Sequence, residues 1–137
     1  MKVLVDTPVW SLALRRRFED LDRKERFLVE AWSVLVRDGL IAMIGPIRQE
    51  ILSGIRQASG FEKLRMRLAA FPDLPILTAD HEQAARFFNA FRRHGVTGTP
   101  IDLLICAVAD RLGLSLFTTD KDFQAYARHL PIRFHRF

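Results

Sequence analysis

Short apolar runs alternate along this chain with longer segments of helical periodicity, and that alternation restricts the fold more than any other feature. Val3-Leu4-Val5 is the first run, Leu40 to Ile44 the second and Ser115 to Thr118 the third, with shorter candidates at 74–77 and 132–134. A buried strand in a parallel sheet is apolar on both faces, so such runs read as strands. Between them, helical spacing and start signals predict helices from Pro8 into Arg15-Arg16-Arg17, over 21–37, from Gly45-Pro46 to about residue 55 and over 60–70. Three more follow, from Asp80 as N-cap to residue 93, from Thr99-Pro100 onward, and over 121–128. Strands separated by helices form parallel sheets covered on both faces. The expectation is an α/β chain, a three-layer α/β/α sandwich with a mainly parallel sheet of four to five strands, in one domain spanning 1–137.

Several classes are excluded. With 49% hydrophobic residues the chain is too apolar for disorder. Cys106 is the only cysteine, so no intrachain disulfide exists. The longest wholly apolar run, Leu103 to Ala109, has 7 residues, against about 20 for a membrane span. Asp6 interrupts the N-terminal apolar run before a secretory signal can form. A soluble, cytoplasmic protein without a membrane partner is expected. The 21 basic residues outnumber the 16 acidic ones, and 17 of the 21 are arginine. The arginine fork suits phosphate, so the charge balance leans toward a polyanion or an acidic protein partner.

In open parallel sheets, ligands bind beyond the carboxyl ends of the strands. Asp6 directly follows the first strand, Glu50 sits early in the helix after the second, and Asp120 and Asp122 follow the strand at 115–118. Asp102 lies in the first turn of the helix begun by Thr99-Pro100. Each has an ordinary reading: Asp6, Asp102 and Asp120 suit helix starts, and Glu50 suits a solvated helix face. Together at one sheet edge they need a further reason, because two such charges about 5 Å apart repel by roughly 3 kcal/mol at an effective dielectric near 20. A hard divalent cation, Mg²⁺ or Mn²⁺, provides one, and it suits hydrolysis at phosphorus by an activated water. The sequence has no Cys-x-x-Cys, His-Glu-x-x-His, Walker or Gly-x-Ser-x-Gly motif.

The ordered set Val3-Leu-Val-Asp6-Thr7, Gly45-Pro-Ile-Arg-Gln-Glu50, Asp102-Leu-Leu-Ile-Cys-Ala-Val-Ala109 and Thr118-Thr-Asp120-Lys-Asp122-Phe123 resembles the PIN domain. Its VapC branch, the toxins of bacterial toxin–antitoxin pairs, is the most similar. The resemblance implies a Mg²⁺- or Mn²⁺-dependent endoribonuclease with Asp6, Glu50, Asp102 and Asp120 as catalytic, metal-binding acids. Asp122, Thr118 and Thr119 become auxiliary groups. It also implies RNA as substrate (tRNA or rRNA), a cognate antitoxin protein as partner, and a homodimer. Pro8 and Cys106 depart from the family's usual residues. A DNA-cleaving relative and a silent scaffold that binds a protein are the alternative readings. Arg15, Arg16 and Arg17 are candidate RNA contacts or a solvated face, and Arg48 and Arg56 flank Glu50 with the same ambiguity. Trp10, Trp32 and the phenylalanines read as core or dimer contacts. His81, His94, His129 and His135 show no ligand spacing and read as surface residues.

Overall fold

The structure is a computed structural model that describes residues 2–137. Strand β1 (Val3–Val5) leads into helix α1 (Thr7–Leu14), a short 3-10 turn (Phe18–Asp20) and helix α2 (Arg23–Arg37). Strand β2 (Ile41–Ala42) is followed by α3 (Gly45–Leu52), α4 (Ala58–Leu68), α5 (Thr78–Arg93) and α6 (Pro100–Leu112). Strand β3 (Ser115–Phe117) and helix α7 (Asp122–Tyr126) complete the order.

All three strands run parallel in the order β2-β1-β3, with Leu4 opposite Ala42 on one side and Leu116 on the other. β1 is therefore central, and its three residues are buried, as its uninterrupted apolar run requires. The crossover to β2 leaves β1 in one direction and the return to β3 passes back to the other. Right-handed connections then place the helices before β2 and those before β3 on opposite faces of the sheet. The packing follows that division for α1 against α2 and for α5 against α6, while α3, with α4 against it, turns back to pack on α1.

Local signals explain the helix starts. Asp22 and Glu25 form a reciprocal capping box at α2, with bonds of 2.8 and 3.0 Å. Thr99 caps α6, Pro100 occupies its first turn, and Gly113 ends it at φ +65°, a conformation that favours glycine. Residues 103–109 of α6 are all buried, so the run too short for a membrane is a core helix. Trp10 is fully buried, donates its indole N–H to the Val5 carbonyl at 3.0 Å, and meets Trp32 and Phe71 edge-on. It closes the core between α1, α2 and the segment after α4.

The sheet is narrower than four to five strands. The candidates at 74–77 and 132–134 survive as single parallel bridges, Met43 with Asp73 and Leu116 with Phe134. Pro72, Pro75 and Pro131 stand beside these segments and cannot donate to a ladder, so pairing stops after one bridge. Asp80 is not the N-cap of α5 but lies inside its first turn. From there it accepts the Leu77 N–H at 2.8 Å and a forked ion pair from Arg111 of α6 at 2.7 and 2.9 Å. Asp80 is only 2% exposed, and the guanidinium holds its carboxyl below the usual range. This pair locks α5 to α6.

Candidate functional site

The carboxyl end of β1 places Asp6 where the strand stops and α1 begins. Its backbone N–H is tied to the Phe117 carbonyl of β3 at 2.9 Å, so the two strand exits lie side by side. The Asp6 Oδ1 accepts the Thr7 N–H at 2.9 Å, which is the helix cap, and Oδ2 accepts the Thr118 hydroxyl at 2.8 Å. Asp6 thus caps α1 with one oxygen and binds Thr118 with the other. The Thr118 oxygen in turn accepts the Asp120 N–H at 3.0 Å, and the Asp120 Oδ1 accepts the Asp122 N–H at 2.9 Å. One threonine therefore sets the separation between the acid leaving β1 and the acids leaving β3.

Asp102 arrives from the first turn of α6, where its N–H donates to the Thr99 hydroxyl at 3.1 Å. Its Oδ2 accepts the Tyr126 phenol at 3.2 Å. Glu50 arrives from α3, exposed, and its Oε2 accepts the Thr7 hydroxyl at 2.9 Å. Carboxylate oxygens of Asp102, Asp120 and Asp122 all lie within 4.8 Å of one another.

The electrostatics tie Asp6, Glu50, Asp102 and Asp120 into one group. Burial, reinforced by the charges of Asp102 and Glu50, pushes the Asp6 carboxyl up from 3.8 to about 6, although the Thr118 and Thr7 bonds oppose the shift. Asp102 is raised as well, mainly by burial and then by Asp120 and Glu50 against the hydrogen bonds of Thr99 and Tyr126. Burial beside Asp102 carries the Tyr126 phenol far above its ordinary range, so it remains a donor. An all-oxygen donor set in which the buried Asp6 and Asp102 resist ionising fits a hard divalent cation.

The structure brings Asp6, Glu50, Asp102, Asp120, Asp122 and Thr118 together. Thr119 is exposed at the rim and makes none of these bonds. Arg15, Arg16 and Arg17 are not at the acids: they follow the far end of α1, whose eight residues span about 12 Å. There Arg16 pairs with Glu25 at 3.2 Å and Arg17 with Glu19 at 3.7 Å. Arg48 is structural, joined to Asp73 at 2.9 Å and to the Leu68 and Phe71 carbonyls. The histidines at 81, 94 and 129 are exposed, but His94 and His129 stack at 4.9 Å, and His135 is half-buried. Sequence reasoning missed Tyr126 as the partner of Asp102 and Thr7 as the partner of Glu50. The Thr7 hydroxyl beside the Asp6 cap was a readable hint; nothing local pointed from Tyr126 to Asp102.

A family model described as the PIN domain matches residues 3–129. The chain is 39% identical over 128 residues to a VapC ribonuclease of Mycobacterium bovis and to ribonuclease VapC11 of Mycobacterium tuberculosis, covering 92% of this chain and 92% of each relative. Ribonuclease VapC6 of Mycobacterium tuberculosis is 33% identical over 89 residues, 63% of this chain and 70% of that protein. Among solved structures, VapBC2 from Rickettsia felis, bound to a DNA fragment from its promoter, superposes with a TM-score of 0.76 at 15% identity, covering 100% of this chain and 99% of that one. FitAcB from Neisseria gonorrhoeae gives 0.71 at 21% identity, covering 98% and 96%.

Proposed function

The chain belongs to the PIN domain family, and from that membership we propose that it is a divalent-cation-dependent endoribonuclease, the toxin of a toxin–antitoxin pair. The observation that carries this reading is the convergence of Asp6, Glu50, Asp102, Asp120 and Asp122, drawn from four separate elements, at the carboxyl edge of the sheet. The similarity to VapC ribonucleases over 92% of the chain supports the RNA substrate.

Asp102, Asp120 and Asp122 would hold the cation, with Asp6 beside them. Mg²⁺ or Mn²⁺ bound there would supply Lewis-acid activation of a water and charge stabilisation for hydrolysis of a phosphodiester. The residues do the rest. Thr118 keeps Asp6 and Asp120 at a set separation through one hydroxyl. Tyr126 and the N-terminal turn of α6 orient Asp102. Glu50 spends Oε2 on Thr7 and keeps Oε1 to orient the attacking water and take its proton. Burial makes an ionised Asp6 costly by itself, which favours a cationic partner there.

A cognate antitoxin as protein partner is supported by the likeness to VapC proteins and by a neighbour solved as a VapBC assembly. A homodimer and a cytoplasmic site of action complete the proposal; no helix among the described residues is long and apolar enough to cross a membrane. The test is incubation of the antitoxin-free protein with total bacterial RNA and with matched DNA, in Mg²⁺, Mn²⁺ or EDTA, beside Asp6→Ala. Discrete RNA fragments that vanish with EDTA and in the variant are expected. Cleavage of DNA alone, or none by a folded protein with either metal, overturns the ribonuclease reading.

A further inference from the structure

A groove of about 230 Å³ opens beside the acids, with Asp120 in its wall. Lys24 of α2 lines it from one side, and Lys121 and Gln124 from the other, at the start of α7. Leu28 and Phe134, both half-buried, give it an apolar wall. The groove thus joins the carboxylate cluster to a pair of cations.

Neither cation is held in an ion pair among the described residues. Arg16, Arg17, Arg37, Arg48, Arg65 and Arg111 each have a carboxylate partner. Lys24 and Lys121 are exposed and have no such partner among the described residues. Two of the four lysines in the chain therefore stand unpaired at one small groove. An acidic cluster repels a phosphate chain that must approach it, and ammonium groups placed one step away offset that repulsion. Lysine serves here as a point charge on a flexible stem, suited to a phosphate held beside the reacting one. The apolar wall offers a surface for the face of an unstacked base, as in single-strand binding sites generally.

We infer that this groove is a subsite for one nucleotide of single-stranded RNA next to the scissile phosphate, with Lys24 and Lys121 on its phosphate and Leu28 and Phe134 against its base. The inference rests on the ribonuclease reading above and adds to it where the strand lies: in the groove lined by Lys24 of α2 and by Lys121 and Gln124 at the start of α7.

The test uses a short fluorescein-labelled single-stranded oligoribonucleotide, the Asp6→Asn protein in EDTA so that the probe stays intact, and anisotropy read across a salt series. Each phosphate neutralised contributes about 0.7 to the salt slope for a single strand. Lys24→Gln with Lys121→Gln is expected to flatten the slope by about 0.7 and to weaken binding about fivefold near 0.1 M salt, with the difference closing toward 1 M. Lys63→Gln on α4 removes the same charge away from the groove and is expected to leave the slope unchanged. Unaltered slope and affinity in the double variant overturn the subsite, as does an equal loss per charge with Lys63→Gln. Thermal melting verifies the fold of each variant. RNA cleavage by the protein with Asp6 intact is scored separately. Cleavage with lysine-independent binding removes the subsite alone, and lysine-dependent binding without cleavage removes the nuclease reading alone.

Discussion

Replacing Asp6 by asparagine is expected to abolish cleavage and yet stabilise the cation-free protein. The folded environment carries the Asp6 carboxyl from 3.8 to about 6, chiefly through burial. An ionised Asp6 then costs the folded state about 3 kcal/mol above pH 7, since each tenfold change in proton affinity is worth about 1.4 kcal/mol. Asparagine removes that cost and keeps the oxygen that accepts the Thr7 N–H. Its Nδ2 replaces the oxygen that accepts the Thr118 hydroxyl, so that charge-assisted bond is lost or rebuilt with Thr118 as acceptor, at about 1 kcal/mol. The net gain is about 2 kcal/mol at pH 8, or roughly 6–8 °C in Tm for a domain of this size. The folded chain binds more protons than the unfolded one between about pH 4 and 6. Wild-type stability from this group therefore falls as pH rises through 6, and the advantage of asparagine fades to nothing near pH 4.5. Thermal unfolding by circular dichroism in EDTA, from pH 4.5 to 8, measures the effect. An asparagine variant no more stable at pH 8, or a difference independent of pH, would show that burial does not hold Asp6 near neutrality.

Thr118→Val severs the hydroxyl link between Asp6 and Asp120 at nearly constant volume. It is expected to lower RNA cleavage by about tenfold or more, since one such positioning bond is worth over 1 kcal/mol, and to raise the Asp6 titration further; kinetics and carboxyl NMR check these. Arg111→Met leaves the buried Asp80 without its cation and should destabilise the fold by about 2–4 kcal/mol, read in urea melts. Burial, helped by Asp102 and Asp6, pushes the Cys106 thiol up to about 12. Native protein is accordingly expected to resist thiol-alkylating reagents at pH 8 and to react only once unfolded, followed by mass spectrometry.

What was readable in advance was local. The Asp6-Thr7-Pro8 and Thr99-Pro100 starts, the apolar run of β1 and the spacing of α6 state their roles within a few residues, and the structure honours them. The resemblance to PIN domains added the order of the acids, and the fold supplied their convergence. Contacts across the chain were not readable. Asp80 carries every local mark of an N-cap, but its partner Arg111 stands 31 residues away and draws it into the α5–α6 seam. Tyr126 meets Asp102 across 24 residues. The outer strand candidates at 74–77 and 132–134 had the right composition, yet the prolines beside them limit each to one bridge. Arg15, Arg16 and Arg17 looked suited to phosphate, and only the length and direction of α1 carry them away from the site.

The bond from Thr118 to Asp6 spans 112 positions. During synthesis the ribosome delivers Asp6 early and Thr118 only after α2 through α6 have emerged, and domains fold from the N-terminal side as they appear. A chain stalled before residue 115 lacks β3, leaves one edge of β1 unpaired and has nothing to hold Asp6 against Asp120. The hydrolytic centre is therefore assembled by one of the most distant pairings the topology contains. An incomplete chain without β3 is expected to leave the acidic site unassembled, as is one that has lost β1.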